Sequence, residues 1–237
     1  MSVSSFLINS VFPRTCVGCD RSMPHDARSF VCKDCRLDIE LVKDPSCPFC
    51  RSPSRGGTTC PFCKKNSSLD SLTVIASYDD RLVKRMIKEL KYRFLRDLAA
   101  DIGIMMAERI NKIGLVKSRT IIVPVPLHKL RYNWRGFNQS EDIARVLANS
   151  SAMDFMPNAL TRIKHSKPQA EIADKQERIS SARGLFRVSR DCATLVNNKR
   201  IVLVDDVATT GATLDDCART LKNAGAINVA GLVFARG

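Results

Sequence analysis

The sequence predicts an α/β protein with a central parallel sheet, preceded by a small module held together by metal rather than by a core of its own. Three observations carry that expectation. Eight of the ten cysteines fall within the first 63 residues, as four C-x2-C pairs. From residue 72 onward, β-rich runs alternate with helical stripes, the order that builds a parallel sheet. One run, Ile201–Val204, is continuously apolar, as a strand buried on both faces should be.

The cysteine pairs come first in the chain: Cys16/Cys19, Cys32/Cys35, Cys47/Cys50 and Cys60/Cys63. Two residues between paired cysteines let both sulfurs reach one tetrahedral ion, and thiolate is the ligand that structural zinc prefers. Eight sulfurs make two structural four-cysteine Zn2+ sites with no open position for catalysis. Neighbouring pairs are expected to share an ion, Cys16/Cys19/Cys32/Cys35 and Cys47/Cys50/Cys60/Cys63; the spacing also admits an interleaved arrangement. The polar stretch Lys64–Ser68 reads as a linker, which divides the chain into 1–66, a double zinc ribbon, and 67–237. The remaining cysteines, Cys192 and Cys217, read as ordinary buried or half-buried thiols.

Beyond the linker, Leu72–Tyr78 reads as a strand. Leu82, Val83, Met86, Ile87 and Leu90 make a helical stripe, with Lys84, Arg85, Lys88 and Lys91 on the remaining face. Leu95, Leu98, Ala99, Ile102, Met105, Met106 and Ile110 make a second. Thr120–Val125 is β-rich and broken by Pro124 and Pro126. Asn138 to Glu141 has the spacing of an N-cap with a carboxylate at N3, opening a helix through Leu147. Leu214, Cys217, Ala218 and Leu221 form a stripe stopped by Gly225, and Ile227–Phe234 is the last strand.

Composition narrows the function classes. The 237 residues are 44% hydrophobic and 26% charged, a globular balance rather than a disordered one. No apolar run approaches the ~20 residues of a membrane span. The uncharged start, Ser2 to Phe12, lacks the basic region and cleavage site of a signal peptide, so a cytoplasmic protein with reduced thiols is expected. The net charge of +14 calls for an anionic partner. Its excess lies in residues 119–200, with 15 basic against 7 acidic side chains. That placement suits an anion-binding cleft at least as well as a nucleic-acid surface.

The strongest chemical signal runs from Ile201 to Thr213. A buried strand ends in Asp205 and Asp206, and the turn Ala208-Thr209-Thr210-Gly211-Ala212-Thr213 then enters a helix. Ligands bind at the carboxyl ends of strands in open α/β sheets. Backbone N–H groups, Thr hydroxyls and a helix N-terminus make an anion cradle, and Gly211 lets the backbone approach the anion. Two carboxylates would repel a bare phosphate, but they suit a ligand that also offers hydroxyls, such as a ribose.

This string resembles the phosphoribosyl-pyrophosphate (PRPP) signature of type I phosphoribosyltransferases. The resemblance implies that Asp205 and Asp206 hold the ribose hydroxyls, with Mg2+ accompanying PRPP, and that the turn through Thr213 holds the 5′-phosphate. Val125, Pro126 and Leu127 lie where such enzymes present backbone N–H groups to pyrophosphate, and Arg131 and Arg135 could pair with its charge. The two prolines suit a plain strand terminator equally well. The basic stretch 162–187 could be the mobile loop that closes over PRPP, and a solvated hairpin would look the same.

The four C-x2-C pairs, Pro124–Leu127, Arg135-Gly136-Phe137-Asn138-Gln139 and the Asp-Asp turn, in this order, resemble the ComF/GntX family of competence-associated proteins. The resemblance implies a double zinc ribbon followed by a type I phosphoribosyltransferase-like domain. It matches Gln169 and Arg178 to the mobile segment, in which Lys175 also falls, and in the block after that segment Ser181 departs from the family's usual Asn. It also implies a role in DNA uptake during natural transformation, beside single-stranded DNA and a helicase partner. Two functions follow: phosphoribosyl transfer from PRPP, or a non-catalytic DNA- or helicase-binding module that retains the cleft. On the second, Arg162, Lys164 and Lys167 would carry the phosphate contacts, and the few aromatics, Trp134 and three Tyr, count against a stacking platform.

Overall fold

The structure is a computed structural model that describes residues 14–24, 27–114, 120–151, 153–164 and 184–237. From residue 71 the chain runs β1 (Ser71–Ser77), α1 (Arg81–Tyr92), α2 (Leu98–Lys112), β2 (Thr120–Pro124), α3 (Lys129–Arg135), α4 (Gln139–Ser151) and β3 (Asp154–Phe155). It continues through β4 (Leu160–Arg162), β5 (Phe186–Val188), β6 (Arg200–Ala208), α5 (Ala212–Asn223) and β7 (Asn228–Arg236). Five strands form one parallel sheet in the order β1-β7-β6-β2-β3, while β4 and β5 pair antiparallel beside it.

The expected strands are present with shifted ends. The first strand runs one residue earlier than the sequence suggests, the last begins one residue and ends two residues later, and β6 extends past Val204 through the acid pair to Ala208. The short strands β3, β4 and β5, of two or three residues each, leave no periodic signal to read. Pro124 closes β2 opposite Val204, where β3 no longer pairs with β2, so its missing N–H breaks no ladder on that side.

The sheet separates two cores. On one side Ile75, Val202, Val204, Leu232 and Phe234 pack with the stripes of α1 and α2 and with Ile143, Ala144 and Leu147 of α4. On the other, Ile121, Val123, Ile201, Leu203, Val229 and Val233 pack with Leu214, Cys217, Ala218 and Leu221 of α5. Cys192 and Cys217 are both buried, as expected of plain thiols. Asp80 caps α1, its carboxylate accepting from the backbone N–H groups of Leu82 (2.8 Å) and Val83 (3.1 Å). Asn138 caps α4 the same way through Ser140 N (3.2 Å), whereas Glu141 pairs forward with Arg145 instead of back to the cap.

The sequence left open what the ribbons touch; among the described residues, each packs on a different face of the sheet domain. Val17, Val31 and Ile39 join the core under α1 and α2, and Asp101 of α2 accepts from Ser29 Oγ (2.5 Å) and Phe30 N (2.9 Å). Phe49, from the second ribbon, packs against the core under α5. Asp70 fixes the junction: it takes Lys64 Nζ (2.6 Å), Lys222 Nζ (2.7 Å) and Val229 N (2.7 Å). No helix among the described residues is long and apolar enough to cross a membrane.

Candidate sugar-phosphate cleft and metal centres

At the carboxyl ends of the central strands lies a cleft of about 330 Å³. Its acidic side is the end of β6. Asp206 is buried, its Oδ1 accepting from Val207 N (2.8 Å) and its Oδ2 facing Lys91 Nζ at 2.7 Å. Asp205 is half-buried and accepts on Oδ1 from Ser140 Oγ (2.7 Å) and Asp206 N (2.9 Å). Burial, then the charge of Asp206, pushes the Asp205 carboxyl up to about 7, against the pull of Ser140 and Lys91. Burial pulls Lys91 down, but Asp206 and Asp205 outweigh it and hold its ammonium above the ordinary value.

The same cleft carries basic side chains and the segment after β2. Val125, Pro126, Leu127, Arg131 and Arg135 all line the cleft. Arg135, on the last turn of α3, is 9% exposed and bonds to Gln139 through Nη1, yet its Nε has no hydrogen-bond partner among the described residues. Arg131 Nη2 is likewise buried and unpartnered. Burial lowers the Arg135 pKa from its ordinary value. Buried cationic donors without acceptors cost free energy, and both residues line the cleft.

The turn after β6 divides into two faces. Thr209 and Thr213 line the cleft. Thr210 and Ala212 instead line a neighbouring cavity of about 210 Å³ with Phe49 and Phe62 of the second ribbon. Ala208 and Gly211 are buried between them. Gly211 sits at φ +78°, a left-handed conformation that favours glycine, and Pro48 O lies 3.5 Å from where a Cβ would stand. Of the expected residues, the acid pair, the 125–127 segment, Arg131, Arg135, Thr209 and Thr213 thus gather at one cleft, whereas Ala208, Thr210, Gly211 and Ala212 do not line it. Gln169, Lys175 and Arg178, and with them Lys167, lie outside the described residues. Of the other two cations once assigned to DNA, Arg162 lines the cleft and Lys164 is exposed.

Sequence reasoning missed Lys91, Ser140 and the rim. Periodicity assigns Lys91 to the outer face of α1, but it follows Ile87 by one turn, and Ile87 also lines the cleft. That i, i+4 relation was the available signal. At the rim, Trp134 lies 6.4 Å from Tyr92 and 5.4 Å from Phe94 between ring centroids, and all three are exposed. The expectation that aromatics are too sparse for a stacking platform counted residues, whereas the fold brings these three together.

The cysteines form two groups, Cys16/Cys19/Cys32/Cys35 and Cys47/Cys50/Cys60/Cys63, each with its sulfurs within 4.8 Å of one another. This is the sequential pairing. Zinc–sulfur bonds of ~2.3 Å at tetrahedral angles put sulfurs ~3.8 Å apart. Cys19 and Cys32 are at 3.8 Å and Cys50 and Cys60 at 3.7 Å, so both groups fit Zn2+. Gly18 is required there, since a Cβ would stand 2.7 Å from Cys35 Sγ. The acid pair does not fit a protein-held Mg2+: two of its four oxygens accept from Val207 N, Ser140 and Asp206 N, the Lys91 ammonium stands 2.7 Å from a third, and the described residues bring no third carboxylate to it.

Comparison with known proteins agrees with this architecture. Residues 7–64 match the family described as double zinc ribbon domain, and residues 121–237 match the phosphoribosyl transferase domain. The chain is 29% identical to Competence protein F of Haemophilus influenzae over 89% of its own length and 91% of that protein. It is 29% identical to Competence protein ComFC of Bacillus subtilis, covering 82% of this chain and 79% of that one. It is 26% identical to the DNA utilization protein YhgH of Escherichia coli K12, covering 84% and 93%.

Proposed function

For a chain that belongs to the ComF family, with a double zinc ribbon ahead of a phosphoribosyl transferase domain, we propose that the cleft binds Mg-PRPP and supports transfer of its 5-phosphoribosyl group. The observation that carries this reading is the pair of arginines with buried, unpartnered guanidinium donors, Arg131 and Arg135, lining one cleft with two carboxylates. Cations suit a diphosphate, and carboxylates suit the hydroxyls of a ribose. In this reading Thr209, Thr213 and the start of α5 take the 5′-phosphate, Asp205 and Asp206 accept from the ribose hydroxyls, and Arg131 and Arg135 hold the leaving group beside Pro126 and Leu127.

The transfer forms one bond from an acceptor to C1′ of the ribose and breaks the C1′–oxygen bond to pyrophosphate, which leaves with the electron pair. Positive charge develops at the ribose as that bond stretches, and in this reading the Asp205–Asp206 pair stabilises it. Mg2+ would travel with the diphosphate as part of the substrate. Calorimetry with Mg-PRPP should show one saturable site per chain. Arg131→Ala should weaken it about 10- to 100-fold, the worth of a charge-assisted hydrogen bond, and Asp206→Asn should abolish it. No heat with millimolar Mg-PRPP would overturn the reading.

The rim favours a second, compatible reading, in which single-stranded DNA lies across Tyr92, Phe94 and Trp134. Arg135 stands 6.0 Å over the Trp134 ring, Arg93 is exposed beside it, and Tyr92 continues into the cleft. The names of the relatives, competence and DNA utilization proteins, support the same partner. Stacking is worth about 1–3 kcal/mol per base, and the basic residues make binding salt-dependent. Trp134 is the single tryptophan of the chain, so an oligothymidylate should quench its fluorescence. Trp134→Ala should weaken binding about tenfold or more. Binding that ignores both salt and this substitution would exclude the rim.

A further inference from the structure

Resting on that reading of the cleft, we propose that Lys91 is the resident cation of the sugar-phosphate site, compensating the acid pair in place of a protein-held divalent ion. Its ammonium sits 2.7 Å from Asp206 Oδ2, with the Lys91 side chain 20% exposed and that of Asp206 3% exposed. This is a buried ion pair inside the ligand cleft rather than a surface bridge. Its position is set by the fold. Val83, Met86, Ile87 and Leu90 anchor α1 in the core, and the next residue along that face is delivered to the end of β6.

The charge at the cleft points the same way. Lys88, Lys91, Arg131, Arg135 and Arg162 line it against Asp205 and Asp206, five cations to two carboxylates. A site with this surplus receives a polyanionic sugar phosphate without further positive charge from solution. One oxygen of each acid accepts from backbone or Ser140, and Asp206 Oδ2 makes the ion pair with Lys91 but no hydrogen bond, so Asp205 Oδ2 is left without a hydrogen bond to a described residue. A ribose hydroxyl can donate to that oxygen, and to the second lone pairs of the others, while Lys91 stays in place.

Ribose 5-phosphate is the probe, because it lacks the diphosphate that carries Mg2+ on its own account. Its affinity is measured by calorimetry on zinc-loaded protein in magnesium-free, chelator-free buffer and again in millimolar MgCl2. Wild-type protein should bind it equally in both. Lys91→Met should lose about tenfold or more in magnesium-free buffer, the order of a lost close charge pair, and should recover when MgCl2 is added. Lys91→Arg should resemble wild type. Should the Met variant fail to fold, Lys91→Gln keeps a donor to Asp206 and carries the same expectation. A Lys91 with only a structural role would not create a metal requirement. Binding by folded Lys91→Met or Lys91→Gln that matches wild type without magnesium overturns the inference, as does steep Mg2+ dependence of the wild type. Loss of all wild-type binding to both ribose 5-phosphate and Mg-PRPP defeats the cleft reading itself.

Discussion

Removing the metal from the second cysteine group should loosen the turn at 208–213 as well as unfold the ribbon that holds it. The link is short and direct. Arg236, at the end of β7, donates to Pro48 O (2.5 Å) and Cys47 O (3.4 Å), and Arg51 Nη2 donates to Gly237 O (2.6 Å). Phe49 stands 3.6 Å from the Cβ position of Gly211 and packs against the core under α5. The knuckle between Cys47 and Cys50 is thus wedged between the turn and the last strand.

Little besides metal can hold that knuckle in place. Cys47 is the one buried hydrophobic of the second ribbon, residues 45–64, among the described residues. Structural zinc supplies about 10–16 kcal/mol in modules of this kind. Chelation should release two Zn2+ per chain and raise hydrogen exchange in residues 14–64 and 208–215. Affinity for Mg-PRPP should fall about tenfold or more, as the anion cradle loses its support. Single substitutions separate the ribbons. Cys47→Ser should move exchange at 208–215, whereas Cys16→Ser should move the contacts of Ser29 and Phe30 with Asp101 on α2 and leave the turn unchanged. Unaltered exchange at 208–215 after complete chelation would sink this account.

The contrast between the ribbons shows where the sequence was legible. C-x2-C is a local signal, because two residues suffice to bring both sulfurs to one ion, and the linker at 64–68 follows from where the cysteines stop. Ile201–Val204 is legible because burial on both faces leaves no alternation to misread. Lys91 was not legible in the same way. Its role depends on a pairing with Asp206, 115 positions along the chain, and a periodicity argument sees a lysine on a helix edge and assigns it to solvent. The aromatic rim fails for a similar reason: Trp134 comes from α3, while Tyr92 and Phe94 come from the end of α1 and the turn beyond it. Phe94 reaches its place through a left-handed backbone, φ +58°, that no propensity argument assigns to phenylalanine. Thr210 was grouped with Thr209 by sequence adjacency, but the left-handed turn at Gly211 accompanies a change of side. The zinc pairing needed the fold as well, since spacing alone admits two solutions.

Asp205→Asn should stabilise the protein above pH 7 while costing the cleft its ligand. The Asp205 carboxyl is held at about 7, raised first by burial and then by the charge of Asp206. An unperturbed aspartate titrates near ~3.9. Between those values the folded state binds a proton that the unfolded state has released. The stability it contributes is therefore fully present below about pH 4 and is lost as pH rises through about 7. At pH 8 the folded protein carries the charged form against its surroundings. Discounted for the partial exposure of Asp205, this is a penalty of about 2 kcal/mol. Asparagine removes the charge and keeps an oxygen that can accept from Ser140 Oγ and Asp206 N, the two bonds Asp205 makes now. Urea unfolding at pH 5 and pH 8 should show wild type losing stability across that interval and the variant losing less. Ribose 5-phosphate binding should fall in the variant at both pH values, because a neutral amide accepts a sugar hydroxyl less strongly than a carboxylate does. In wild type the same binding should weaken as pH falls below 7 and Asp205 takes up its proton. A variant less stable than wild type at pH 8 would mean that the carboxylate is stabilised where it stands. The strand end would then be a structural anchor rather than a strained position kept for a ligand.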